Sequence, residues 1–228
     1  MKNMPTESVT TRTIPGGWSE REVALGEHVV RISLPAQPDE FLEQLEWSDA
    51  TAQEADPYWA ELWPASLSMA RLILLKSWRP HTSAVELGCG IGVVGLAGLL
   101  SGLEVEFTDR VNLAVDTAVE NARRNGFPRA VGRVLDWANP PLHQYSVVLA
   151  SDVLYDQKLH SVLLNAIDAL LKPEGACWLG DPGRSAAVEF CELAATRGFQ
   201  LAMSDESGTP EPSFKTGEFR LICLQRPH

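Results

Sequence analysis

Along residues 83–180 the chain repeats one rhythm: a short, unbroken apolar run, then a longer stretch whose apolar residues fall three and four apart. Unbroken runs suit strands buried on both faces, as in a parallel sheet, and the wider spacing suits helices laid against it. The runs predict strands near 83–87, 104–108, 131–135, 146–151 and 176–180. Between them the spacing predicts a helix from Val93, a second over 112–125 and a third over 159–171, with Lys172-Pro173-Glu174-Gly175 as the turn that follows. Two later runs, near 199–204 and 218–225, predict a hairpin at the sheet edge with one strand antiparallel. The sum is a doubly wound α/β sheet of seven strands. Upstream, Val23, Leu25, Val29, Val30, Ile32 and Leu34 alternate with polar neighbours within 19–45, which predicts a small β-ribbon. Pro64-Ala65-Ser66 starts a helix continued by Met69, Leu72, Ile73 and Leu75 and ended before Pro80. The expected organisation is a tail and β-ribbon extension over 1–54, its first 17 residues loose, and one domain over 55–228.

Composition narrows the reading only by exclusion. The 228 residues are 45% apolar, enough for one good core. A net charge of −11 disfavours a nucleic-acid partner, because binding phosphates needs concentrated Lys and Arg. Cysteines 89, 177, 191 and 223 have no paired short spacing, so neither a metal site nor a disulfide framework is expected. Without a long apolar run or a signal-peptide core, the expectation is a cytoplasmic protein with no membrane partner.

The densest chemistry lies at Glu86-Leu87-Gly88-Cys89-Gly90-Ile91-Gly92, where a strand runs into three alternating glycines and then a helix. Glycines there permit a tight turn and let the backbone approach a ligand. The dinucleotide fingerprint fails, since Val93 stands at its third glycine. Glu86, two residues before Gly88, is a poor neighbour for a pyrophosphate but suits a cofactor carrying an amino group and a sulfonium. Asp109 ends the second strand twenty-one residues after Gly88, close to the spacing of about 20 at which an acidic residue binds ribose hydroxyls. Its other reading is the N-cap of the next helix, and the two are compatible.

This E-x-G-x-G-x-G pattern resembles the first motif of the class I, seven-strand S-adenosylmethionine methyltransferases. The resemblance implies a Rossmann-like sheet with S-adenosyl-L-methionine as cofactor. It puts Glu86, Gly88, Cys89 and Gly90 at the methionine end, Asp109 on the ribose, and Asp136 with Trp137 at the adenine. Trp137 is also able to serve as a packing anchor for its loop, and the Cys89 thiol is read as packing.

After the apolar run 145–150 come Ser151, Asp152 and Tyr155. The D-x-x-Y arrangement resembles the post-strand motif of the seven-strand protein-lysine methyltransferases, the group that includes the enzyme acting on the electron-transfer flavoprotein β-subunit and its bacterial relatives. It lacks the N-P-P-Y tetrad, which serves weakly nucleophilic planar nitrogens. A carboxylate suits an amine better, since it attracts and orients the nitrogen and stabilises the charge on the methylated product. The competing role for Asp152 is a capped turn. A Trp-containing segment at 56–66 resembles one that closes over the cofactor in the same group, which implies Trp63 and Ser151 around the sulfonium; Tyr58 and Trp59 read as packing. The segment departs from the group's pattern in having Leu62-Trp63-Pro64-Ala65-Ser66. Gly180-Asp181-Pro182-Gly183-Arg184 resembles a strand end in the bacterial relatives, with Arg184 facing an acidic substrate or solvent. The expected activity is methylation of a lysine on a partner protein by Asp152 and Tyr155. The alternatives are a small-molecule amine or pyridine as acceptor, or a non-catalytic S-adenosylmethionine-binding regulator.

Overall fold

In β3 (Ser83–Leu87) the period of two divides the side chains between two cores: Ala84 and Glu86 face one side of the sheet, Val85 and Leu87 the other. The remaining central strands, β4 (Glu104–Asp109) and β6 (Tyr145–Ser151), are likewise buried over most of their length. Such strands need helices on both faces, and the helical stretches between them supply these. The computed structural model describes residues 9–40 and 57–227. Among them α1 (Pro64–Leu75), α2 (Val93–Leu100) and α3 (Asn112–Arg124) cover one face. On the other lie α4 (His160–Leu170) and α5 (Ala186–Thr196).

With β5 (Val131–Val134), β7 (Leu171–Asp181), β8 (Gln200–Ser204) and β9 (Arg220–Gln225), the described strands form a seven-stranded sheet in the order β5-β4-β3-β6-β7-β9-β8. The strands β5-β4-β3-β6-β7 pair in parallel, while β9 is antiparallel to both its neighbours. Strand order therefore reverses between β3 and β6. That reversal leaves a crevice at the carboxyl ends of these two strands, the usual ligand position in open α/β sheets.

The turn expected at Lys172–Gly175 is instead part of β7. Leu171 is already extended where α4 ends and pairs with Tyr145, and the ladder shifts register before Val147. Gly175 permits that close passage, since a Cβ there would lie 2.9 Å from the Ser146 carbonyl oxygen.

The ribbon is a hairpin of β1 (Trp18–Leu25) and β2 (His28–Pro35), whose alternating Val23, Leu25, Val30, Ile32 and Leu34 enter the same core as α1, α2 and α3. Residues 9–17 are not loose: Val9 is buried and Arg12 pairs with Asp116 of α3 at 2.6 Å. A short apolar anchor and one ion pair overcome the polar composition that suggested a free tail. The expected boundary at 54/55, the ribbon beyond residue 40, Asp56 and residues 1–8 lie outside the described residues.

Candidate functional site

The loop after β3 turns sharply because Gly88, Gly90 and Gly92 all take positive φ, at 64°, 50° and 83°. Gly92 is the N-cap of α2, and its N–H donates to the Cys89 carbonyl at 2.7 Å. At Gly90 there is a second reason for glycine: a Cβ would lie 2.8 Å from the Trp59 carbonyl oxygen. Segment 57–63 thus closes directly over the glycine loop. Between them opens a cavity of about 440 Å³, lined by the loop, the ends of β4 and β6, and residues from 57–63, 135–137 and 151–155.

Two carboxylates form its floor. Asp109 is buried and accepts from the Gly90 N–H and the Val111 N–H, both at 3.0 Å, through different oxygens. It therefore braces the glycine loop and the start of α3 together, and each oxygen keeps capacity for a further donor. Burial raises its pKa above the ordinary range, against the pull of those two N–H groups. Glu86 accepts from the Gly95 N–H of α2 at 2.9 Å. Its pKa is pushed up to about 8, first by loss of hydration; the Gly95 N–H opposes the rise and the Asp109 charge adds to it. Cys89 is buried, its thiol raised well above its usual range by burial, so its contribution to the cavity is backbone and bulk.

Asp136, exposed, and Trp137, half-buried, are also in the lining. Asp136 accepts from the Ala138 N–H and from Asn139 Nδ2, both at 2.9 Å, which fixes its carboxylate in a turn. Ser151 ends β6 and Asp152 follows it. Asp152 has φ 62°, a left-handed conformation that Asp tolerates better than most residues, and its N–H still donates to Gly180 of β7 at 2.9 Å. The geometry turns a residue that would otherwise follow the sheet to the wall of the cavity. Its side chain is 4% exposed and lies 2.8 Å from Arg184 Nη2 as an ion pair. Burial raises the Asp152 pKa, with the Arg184 charge acting against that rise.

The mouth is aromatic. Tyr58 lies 6.2 Å from Trp63 and 6.5 Å from Tyr155, centroid to centroid, and the Trp63 indole N–H donates to the Tyr58 carbonyl at 2.9 Å. The residues expected to bind the cofactor or carry the chemistry all line this cavity.

Two of its residues were misread from sequence. Tyr58, expected to pack, is 60% exposed at the mouth, while its neighbour Trp59 is buried. A helical turn at Pro57–Ala60 points the two rings in different directions. Arg184, expected to face an acidic substrate or solvent, is partly exposed at the cavity and pairs with the protein's own Asp152 and Asp181. A signal was present in Asp181-Pro182-Gly183-Arg184, a tight turn with opposite charges at its ends, but the partner in β6 is visible only once the sheet is formed. Among the described residues no group of His, Cys, Asp and Glu is arranged to hold a metal ion, and no helix is long and apolar enough to cross a membrane.

Comparison with known proteins agrees with this geometry. A family model described as lysine methyltransferase matches residues 44–190. The electron transfer flavoprotein beta subunit lysine methyltransferase of Danio rerio is 27% identical over 136 residues, covering 57% of this chain and 52% of that protein. EEF1A lysine methyltransferase 3 of Mus musculus is 29% identical over 159 residues, covering 64% and 67%. The chain spans about half the length of the flavoprotein-directed relatives it matches. Magnesium protoporphyrin IX methyltransferase from Synechocystis, a solved structure with bound S-adenosylmethionine, shares the fold at a TM-score of 0.56 and 16% identity, over 71% of this chain and 78% of that one.

Proposed function

This chain belongs to the lysine methyltransferase family of S-adenosylmethionine-dependent enzymes, and on that premise we propose that it methylates the side-chain amine of a lysine on a partner protein. The observation that carries the proposal is Asp152: a carboxylate, buried and held in a left-handed turn, on the wall of the cavity beside an aromatic mouth.

The residues present suit the cofactor. A Cβ at Gly88 would press on Val153 at 3.2 Å and narrow the space between loop and cavity, and the loop keeps its backbone open instead. Asp109 has acceptor capacity left for ribose hydroxyls, Asp136 for the adenine amino group, and Trp137 offers a ring face. Glu86, with Gly88, Cys89 and Gly90, is assigned to the methionine end; Ser151 and Trp63 to the surroundings of the sulfonium. When bound, the cofactor would supply a methyl group on a good leaving group: the lysine ammonium first releases a proton to solvent, then the N–C bond forms as the S–C bond breaks with its electron pair going to sulfur, leaving a methylated ammonium.

What the protein contributes is position. Asp152 orients the nitrogen and stabilises the charge it acquires, Tyr155 and Tyr58 confine the aliphatic stem of lysine, and the closed segment 57–63 excludes water. Alignment of this kind contributes on the order of 7 kcal/mol to such a step.

The test is incubation of the purified protein with radiolabelled S-adenosylmethionine and a cell extract separated into protein and small-molecule fractions. Methyl-lysine in hydrolysed protein, reduced roughly 100-fold or more by Asp152→Asn, is the expected result. Label confined to small molecules would instead make the acceptor a metabolite. Because an ordinary lysine amine has a pKa near 10, the rate should climb as pH rises from about 7. A flat profile with chemistry limiting would remove the amine from the proposal.

A further inference from the structure

Asp152 does not meet the cavity as a bare carboxylate. Arg184 Nη2 lies 2.8 Å from one of its oxygens, and Arg184 Nη1 lies 3.3 Å from Asp181 at the end of β7. Asp181 is fully buried, and its other oxygen accepts from the Gly183 N–H at 2.8 Å and the Arg184 N–H at 2.7 Å. One carboxylate thus anchors both the backbone and the guanidinium of Arg184. The turn that carries them is braced from behind: Gly183 has φ 87°, a Cβ there would lie 2.5 Å from the Glu218 backbone, and its carbonyl accepts from the Gly217 N–H at 2.8 Å. Arg184 is therefore a fixed charge rather than a surface side chain, with 25% of its side chain exposed.

We propose that Arg184 is a specificity-determining, positioning residue for Asp152, whose fixed positive charge offsets the carboxylate and so weakens the cavity's preference for an ammonium over an uncharged amine. The inference rests on the amine reading above for its meaning in catalysis, but its physical content is the charge at the wall of the cavity. The neighbouring groups define that charge. From the end of β6 and the loop after it come Ser151, Asp152 and Tyr155; from the end of β7 and the turn after it come Asp181 and Arg184. Cys191 of α5 faces Asp181 as a thiol raised to about 11, first by burial, and so stays neutral near pH 7. From segment 57–63 the mouth receives Tyr58 and Glu61, and deeper in the cavity lie Glu86 and Asp109 with Arg110 beside them. Asp152, Arg184 and Asp181 together carry one net negative charge; without Arg184 they would carry two. An arriving ammonium would then be bound as a counterion, and as a bound ammonium it is no nucleophile. A charge within about 4–6 Å shifts such proton equilibria by 1–3 units, which raises the uncharged fraction of a bound amine near pH 7 roughly tenfold or more.

The test uses two ligands that need no acceptor substrate. Sinefungin carries a primary amine where the cofactor carries its methyl-sulfonium, and S-adenosylhomocysteine carries neither. Their affinities for the full-length protein, measured by titration calorimetry at about pH 7, give a preference that loss of structure alone would not change, because both ligands share the rest of the site. Arg184→Gln is expected to increase the preference for sinefungin at least fivefold, roughly, with S-adenosylhomocysteine affinity within about twofold of wild type; Arg184→Lys should keep the wild-type preference. Asp152→Asn, which leaves Arg184 anchored by Asp181, should lower the preference by a similar factor and serves if Arg184→Gln does not fold. An unchanged preference in folded Arg184→Gln, or equal changes for the two ligands, overturns the proposal, as does an unchanged preference in Asp152→Asn where Arg184→Gln does not fold. Absence of methyl-lysine in the labelled extract would overturn the lysine reading and leave this result standing.

Discussion

Glu86 concentrates the pH dependence of the cofactor loop in one side chain. Its pKa is raised from the ordinary 4.5 to about 8, foremost by burial. A carboxyl raised in the folded state favours folding in its protonated form, so its contribution is fully present below about pH 4.5 and is lost as pH rises toward 8. Glu86→Gln, which keeps the shape and removes the charge, should therefore be more stable than wild type by roughly 4–5 kcal/mol near pH 8.5 and close to it near pH 4.5, as read by urea melts at the two pH values. A wild-type protein that is the more stable at the higher pH would contradict the assignment. Gly95, whose N–H donates to Glu86, gives a second handle. A Cβ at Gly95 would lie 2.4 Å from the Phe107 ring and 2.5 Å from Glu86 Oε2. Gly95→Ala should cost about 1–3 kcal/mol through overpacking and weaken S-adenosylmethionine binding, because either the ring or the carboxyl must move.

Between elements, the hairpin is held to α3 by asparagines acting in place of a further strand. Asn121 accepts from the Ser33 N–H at 2.8 Å and donates to the Ser33 carbonyl at 3.0 Å; four residues on, Asn125 does the same for Arg31 at 2.9 and 2.7 Å. One helical turn spaces two amides to match alternate residues of β2, so its outer edge is satisfied rather than open. Asn121 also donates to the Ile91 carbonyl at 3.0 Å, which ties the hairpin to the glycine loop. Arg124 adds contacts to Ser33 and Glu20. Asn121→Ala would leave three buried backbone groups without this partner and should destabilise the protein by about 2–4 kcal/mol. Amide exchange at Ser33 should accelerate more than exchange in β6; equal protection would show that the hairpin does not depend on the clamp. In the sequence Asn125 reads simply as a helix end with Gly126, since nothing local reveals that β2 lies alongside.

At the scale of the molecule, one hydrophobic cluster joins the inner face of the hairpin to α1, α2 and α3, while a second joins α4 and α5 to the opposite face of the sheet. The cavity lies at the carboxyl edge of the sheet between them, so its walls are set by both cores at once. Removing residues 1–36 would expose the faces that Val23, Leu25, Val30, Ile32 and Leu34 cover. We expect that deletion to yield an aggregated or partly unfolded protein by light scattering and near-ultraviolet circular dichroism. A monomeric deletion variant with native S-adenosylmethionine affinity would show that the extension is dispensable.

The order of strands, the helices before Leu171, the glycine loop and the candidate residues at the ends of β3, β4 and β6 were legible in the chain, because hydrophobic period and turn chemistry act over a few residues; α5 was not read there. Parallel connection then brings successive strand ends to one edge without further information. The pairs that tune the site were not legible. Arg184 meets Asp152 only because β7 lies beside β6, and Tyr58 meets Tyr155 only because segment 57–63 closes over the cavity. The clamp of Asn121 on Ser33 likewise joins residues 88 apart in the chain. Charge compensation and edge closure depend on distance in space, and folding alone supplies it.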